Sequence, residues 1–179
     1  GIYNREPDPK ASNEFSYTRY LAPYLCDYTG WSLFVDSDMV FLNDVWQLFL
    51  LRNDEYAVQV VKHSEYTPRS TVKFGGSIQY KYPRKNWSSV MLFNNAKCRT
   101  LTVDKINNSS PAYLHRFKWL QDEEIGELPR SWNYLVGEYD DMPLNHINLL
   151  HYTEGTPLWE EYRNCDFSEE WLKYGRKYI

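Results

Sequence analysis

The stretch "WSLFVDSDMV", residues 31–40, decides how the chain is interpreted. It begins with a short β-favouring run, which predicts a strand over Trp31–Val35. Asp36 and Asp38 follow that run directly, at the carboxyl end of the predicted strand. In open α/β sheets, ligands bind just beyond such strand ends. The stretch therefore predicts a strand and a binding site together.

The two aspartates lie two positions apart, so an extended backbone would project both side chains from one face. Neighbouring carboxylates repel each other unless a positive group lies between them. A divalent cation is the usual solution, and carboxylate oxygens suit Mg²⁺ or Mn²⁺. The alternative is a turn in which Asp38 accepts hydrogen bonds from nearby backbone N–H groups.

Composition limits the classes of protein that the chain can belong to. Its 179 residues are 42% hydrophobic and 25% charged, which is typical of a soluble globular protein. The formal net charge of −4 argues against nucleic acid as a partner. The sequence shows no transmembrane segment and no secretory signal. Its 3 cysteines are widely spaced, which favours a reduced compartment, and we expect a cytoplasmic protein.

Predicted strands alternate with predicted helices, which indicates an α/β domain with a mainly parallel sheet. The strand candidates are Trp31–Val35, Tyr56–Lys62, Ser89–Phe93 and Ile147–Tyr152. The helix candidates are Asn13–Leu25 with Asn13 as its cap, Asp44–Leu51 with Asn43 as its cap, Pro111–Gln121 and Ser168–Lys177. Residues 64–86 and 107–112 are predicted to be loops, the first long enough to serve as a binding loop. We expect one domain over residues 1–179.

Two chemistries remain open for the paired aspartates at this point. A phosphohydrolase of the haloacid-dehalogenase type also has D-x-D-x-[TV] after apolar residues, with Asp36 as nucleophile and Asp38 as acid/base. It further needs a lysine and a later acidic pair, for which Lys85 and Asp140–Asp141 are the candidates. The other chemistry is a metal clamp on a nucleotide diphosphate.

The segment Asn13–Phe49 resembles the nucleotide-sugar segment of retaining GT-A glycosyltransferases related to glycogenin and to bacterial lipopolysaccharide galactosyltransferases. In that family a Y-x-R sequence precedes the D-x-D strand, and Tyr17-Thr18-Arg19 matches it. The resemblance implies that Arg19 contacts the diphosphate or the donor sugar. It also implies a metal held by Asp36 and Asp38, with Asp36 shared between the metal and the ribose of the donor.

Three later segments follow the order of the same family. "SSVMLFNNAKC" is similar to its F-N-A-G turn, so Asn94 is implied to bind hydroxyls of the donor sugar. "WLQDEEIGELPRSWN" is similar to its D-Q-D and L-P-x-x-W-N pieces. Gln121 is thereby implied on the reacting face of the donor sugar, and Asp122 on its hydroxyls.

"INLLHYTEGTPLW" is similar to the last piece, in which a strand ends in the third protein ligand of the metal. His151 takes that place, and Gly155 is implied to contact the diphosphate. The lysine that the family has after this glycine is missing here, so Lys81 or Lys85 is the candidate replacement. Two carboxylates and one imidazole favour Mn²⁺, or Mg²⁺, over Ca²⁺.

The resemblance implies a metal-dependent hexosyltransferase that moves a sugar from a nucleotide diphosphate donor, a UDP-sugar, to a hydroxyl acceptor. Retention at the anomeric carbon is part of the implication, as is hydrolysis of the donor when water replaces the acceptor. A non-catalytic nucleotide-sugar-binding module is a further alternative. The usual first strand of the fold is not recognisable before Asp36.

Overall fold

The computed structural model describes residues 1–6, 16–63 and 83–175. They group into two compact units. Unit 1 contains residues 1–6, 16–35, 51–63 and 83–128, and unit 2 contains residues 36–50 and 129–175. The expectation of one domain over residues 1–179 stays a prediction.

Seven strands and five α-helices occur within the described residues. The strands are β1 (Trp31–Val35), β2 (Met39–Phe41), β3 (Val58–Val60), β4 (Val90–Asn94), β5 (Ile125–Glu127), β6 (Tyr134–Leu135) and β7 (Leu149–His151). The helices are α1 (Ala22–Leu25), α2 (Val45–Phe49), α3 (Val103–Asn108), α4 (Pro111–His115) and α5 (Ser168–Gly175). None of these helices is long and apolar enough to cross a membrane.

Unit 1 is built around a sheet with the strand order β1-β4-β3-β5. Strand β4, with the sequence "VMLFN", is buried along its whole length because it lies between β1 and β3. Its side chains join a core that includes Tyr20, Phe93, Leu114 and Phe117. Tyr20, Phe93 and Phe117 are completely buried, and each of these rings removes a large apolar area from water.

Unit 2 contains a smaller sheet with the order β2-β7-β6. Strand β7 is central and buried, with β2 antiparallel on one side and β6 parallel on the other. The apolar side chains behind it include Val40, Tyr134, Leu150 and Tyr152. Because β7 is held on both sides, the residue at its end has a fixed position.

The predicted α/β class is confirmed, but a mainly parallel arrangement is not found among the described strands. In unit 1, β4 runs antiparallel to both β1 and β3, and only β3 and β5 are parallel. Alternation of helices and strands along the chain does not fix strand direction when connections are long. Before Trp31, residues 1–6 and 16–30 contain no strand.

Two predicted helices begin or end elsewhere for identifiable reasons. Helix α2 is capped by Asp44, whose Oδ1 accepts from Trp46 N–H at 2.9 Å, and not by Asn43. Helix α4 begins at Pro111 as predicted but stops at His115, because Phe117 adopts a left-handed conformation with φ of 53°. Sequence rules assign no such conformation to phenylalanine.

Other boundaries shift by a few residues. Of the predicted 107–112 loop, Asn107 and Asn108 belong to α3 and Pro111 opens α4, so only two serines connect the helices. The predicted cap Asn13, the candidate Lys81, residues 64–82 of the predicted long loop and the end of the last predicted helix lie outside the described residues.

Candidate metal centre

Asp36, Ser37 and Asp38 form the connection between β1 and β2. Strand β1 ends at Val35, as the sequence predicts, and β2 begins at Met39. Both carboxylates therefore lie at the carboxyl end of β1, and the Asp38 side chain is 34% exposed. The exposed part leaves room for a ligand at this connection.

His151 reaches the same place from the other end of the sequence. It is the last residue of β7 and pairs with Met39 of β2. Tyr152 N–H donates to the Asp38 carbonyl at 2.9 Å, which continues the ladder by one residue. As a result, Nε2 of His151 lies 3.4 Å from Oδ1 of Asp38, and the imidazole is 3% exposed.

The three side chains offer one ligand atom each, and these atoms all lie within 4.8 Å of one another. Ligands bound at about 2.1 Å to one octahedral cation lie roughly 3 to 4 Å apart, and the 3.4 Å between Nε2 of His151 and Oδ1 of Asp38 falls within that range. A buried imidazole beside two carboxylates is also the mixed N/O donor set that Mn²⁺ accepts. The residues present therefore fit the implied metal.

One residue of this centre, Asn133, has no function predicted from the sequence. Asn133 is fully buried immediately before β6, and its Oδ1 lies 2.9 Å from Nδ1 of His151. It is the last residue of the segment "LPRSWN", which is similar to a sequence pattern of the family, but that similarity implies no contact between Asn133 and His151. An asparagine before a strand gives no signal of such a contact without the fold.

Asn94, Gln121 and Asp122, the predicted sugar-binding residues, all lie in unit 1. Asn94 ends β4 and is buried, whereas Gln121 and Asp122 are exposed at a turn. Gln121 N–H donates to Oε2 of Glu124 at 2.7 Å. The "QDEE" segment therefore caps its own 3₁₀ turn.

The two basic side chains predicted to contact the donor, Arg19 and Lys85, lie in unit 1. Arg19 donates to the carbonyls of Ser16 and Ser88 at 2.8 and 2.7 Å, and its guanidinium lies 4.7 Å from the Phe34 ring centroid. Lys85 is buried in the turn before the 3₁₀ helix Trp87–Ser89. Arg84 beside it forms an ion pair with Asp122.

Gly155 lies in the segment after β7 and has an aromatic ring against its Cα. A Cβ at this position would lie 2.3 Å from Cδ2 of Tyr162, so the ring occupies the space of the missing side chain. Burial and, secondarily, the nearby Glu154 carboxylate raise the pKa of Tyr162 above its ordinary value. The tyrosine stays a neutral hydroxyl at this position.

No protein-family model matches the chain. Over 183 residues it is 43% identical to Protein CDI of Arabidopsis thaliana, and the alignment covers 99% of this chain and 70% of the relative. The chain belongs to the family of Protein CDI. Sequence identity shows that the chain is a member of the CDI family, and similarity to solved structures shows its fold.

Three glycosyltransferase structures are similar to this CDI-family chain. GlyE of Streptococcus pneumoniae TIGR4 is 22% identical with a TM-score of 0.57, over 92% of this chain and 44% of that one. The bifunctional glycosyltransferase WbbM is 16% identical with a TM-score of 0.61, over 96% of this chain and 36% of WbbM. The galactosyltransferase LgtC, solved with donor and acceptor sugar analogues, is 15% identical with a TM-score of 0.57, over 94% of this chain and 69% of LgtC.

At these identities the likeness shows the fold, and the fold is that of the GT-A glycosyltransferases, as the sequence resemblance implied. The chain spans less than half the length of GlyE and of WbbM. The activity of the whole protein is therefore a proposal that rests on the residues of the site.

Proposed function

We propose that the chain is a metal-dependent glycosyltransferase that moves a hexose from a UDP-sugar to a hydroxyl acceptor. The observation that carries the proposal is the convergence of Asp36, Asp38 and His151, with ligand atoms within 4.8 Å, in a chain with the GT-A fold. His151 is far from the two aspartates in the sequence, and pairing of β7 with β2 brings it next to them. A turn stabilised by Asp38 would not need the histidine.

In this proposal Asp36, Asp38 and His151 hold Mn²⁺ or Mg²⁺, and Asp36 also accepts from the ribose of the donor. The bound ion supplies Lewis-acid stabilisation of the negative charge on the departing diphosphate. Burial of His151 keeps one ligand in place before the donor arrives, so binding does not have to order that side chain.

The residues that would contact the donor are assigned by resemblance. Asn94 and Asp122 would bind sugar hydroxyls, Gln121 would lie on the reacting face, and Arg19 and Gly155 would contact the diphosphate. Lys85 would replace the lysine that is missing after Gly155. Retention, and hydrolysis when water takes the acceptor's place, belong to the same proposal.

The phosphohydrolase alternative has less support. An aspartyl-phosphate mechanism requires Asp36 as a nucleophile but gives no reason for a buried histidine against Asp38. Its candidate acidic pair is also partly used elsewhere, because Asp141 forms an ion pair with Arg130. A non-catalytic sugar-nucleotide module uses the same metal site, and turnover separates it from an enzyme.

The test is a panel of nucleotide diphosphate sugars with Mn²⁺, in which released nucleotide diphosphate and free sugar are measured. We expect release with at least one UDP-sugar, and its loss on chelation. Asp38→Ala should reduce release by roughly 100-fold, because removal of one ligand from a three-ligand site weakens both the binding of the metal and its contact with the diphosphate.

Asp166→Ala is the matched control, since Asp166 is an exposed acid of unit 2 outside the metal centre. Equal release by wild type and Asp38→Ala would refute the proposed metal centre. Metal-dependent binding of the donor without any release would identify a binding module. Inhibition by beryllium fluoride with an Asp36 phosphoenzyme would favour the phosphohydrolase.

A further inference from the structure

Asn133 is held in position by its own backbone before its side chain is considered. Its N–H donates to the Arg130 carbonyl at 3.0 Å, at the end of the 3₁₀ helix Arg130–Trp132. The next two residues form β6, which pairs in parallel with β7 so that Leu135 is opposite His151. The side chain is fully buried, so it cannot turn to solvent.

The contact between the two side chains decides the proton position on the imidazole. Oδ1 of Asn133, 2.9 Å from Nδ1 of His151, can only accept a hydrogen bond. Nδ1 must therefore carry hydrogen, and in the neutral ring Nε2 then has the free lone pair. That lone pair is on the side of Asp38, whose Oδ1 lies 3.4 Å away.

We propose that Asn133 is a positioning residue of the metal centre, which keeps His151 in the Nδ1–H tautomer with Nε2 directed at the cation. This inference rests on the proposed metal site. Histidine ligands usually donate their second ring N–H to a carbonyl or carboxylate, which fixes the ring orientation. An amide does so without adding charge next to the two aspartates.

The first measurement is the tautomer itself, read from long-range ¹H–¹⁵N correlations of His151 in metal-free protein at mildly alkaline pH. We expect Nδ1 protonated and Nε2 unprotonated. Observation of the Nε2–H tautomer in wild-type protein would overturn the inference, and this readout depends on neither metal nor activity.

The second measurement is the Mn²⁺ affinity, followed by electron paramagnetic resonance of free Mn²⁺. Asn133→Leu keeps the approximate side-chain volume but cannot accept, and we expect an affinity loss of about 10- to 100-fold. Asn133→Asp can accept from Nδ1–H and should restore most of the affinity. Asn148→Leu is the control, because Asn148 is a half-buried asparagine of unit 2 that donates to Oγ of Ser131.

Melting temperatures of all variants are measured alongside, so that loss of folding is not mistaken for loss of positioning. Wild-type affinity in folded Asn133→Leu would overturn the inference and leave the proposed function standing. The same holds if Asn133→Asp loses as much affinity as Asn133→Leu. Wild-type protein that binds no Mn²⁺ would overturn the proposed metal centre and this inference with it, which distinguishes the two failures.

Discussion

Gly155 shows how a single residue can have a structural reason as well as a proposed functional one. The Tyr162 ring lies where a Cβ would be, with only 2.3 Å from that position to Cδ2. The lack of a side chain is therefore already explained by packing. Contact of Gly155 with a diphosphate is an additional proposal that needs its own test.

Gly155→Ala should lower the free energy of unfolding by about 1 to 3 kcal/mol, because the added methyl group forces the Tyr162 ring to move. Urea titration measures the loss. Gly175→Ala is the control, since no atom of the described residues lies within 4 Å of a Cβ there. In the double variant Gly155→Ala/Tyr162→Ala, the cost of the glycine change should largely disappear; an undiminished cost would contradict the packing argument.

Metal binding at Asp38 and His151 should also stabilise the folded chain. At a free Mn²⁺ concentration of 100 times Kd, we expect about 2.7 kcal/mol of stabilisation, seen as a rise in Tm that a chelator reverses. Asp38→Ala and His151→Ala should abolish the rise, whereas Asp166→Ala should keep it. A full Mn²⁺ effect in Asp38→Ala would place the binding elsewhere.

At the scale of elements, the agreement between sequence and structure depends on how clearly the sequence bounds a β-favouring run. The predicted bounds of β1 match the observed ones, because Gly30 and Asp36 bound a run that is rich in β-favouring residues. The three residues of β5 and the two of β6 give no such signal, and pairing with neighbouring strands creates them. The three residues predicted to hold a metal lie close together, whereas the sequence predicts no role for Asn133, because only the register of β6 against β7 places it near His151.

Helix α2 gives a direct test of the corrected cap. Asp44→Ala should cost about 0.5 to 2 kcal/mol of stability, because Trp46 N–H loses its acceptor, and Asp44→Ser should retain most of it. Asn43→Ala should cost less, since Asn43 makes an exposed contact to Asn148. Urea midpoints decide the order, and a larger loss for Asn43→Ala would favour the original prediction.

At the scale of the whole molecule, each unit buries a group that resists ionisation. In unit 1, burial and then the Glu124 carboxylate raise the pKa of Cys98 from 9.0 to about 12, and its thiol donates to the Ala57 carbonyl. In unit 2, burial first, then Cys165 and Glu170, raise the pKa of Tyr152 well above its usual value. Both groups are neutral in the folded chain where the unfolded chain would already be charged.

This predicts a loss of stability at alkaline pH with a defined sign. The contribution of Cys98 is complete below pH 9.0, the pKa of the unfolded thiol, and is lost as the pH rises towards about 12. Urea titrations across this range should show falling midpoints, with a shallower fall for Cys98→Ala. Cys26→Ala, at an exposed cysteine, should follow wild type; equal slopes for all three proteins would contradict the prediction.

The pairing of Met39 with His151 has a consequence for the order of events during synthesis. Asp36 and Asp38 are synthesised before His151, and the residues of β3, β4, β5 and β6 lie between them in the sequence. A nascent chain therefore carries the two acids before the partner that would complete the proposed chelate has been made. Loading of the proposed metal would have to wait until β7 has paired with β2.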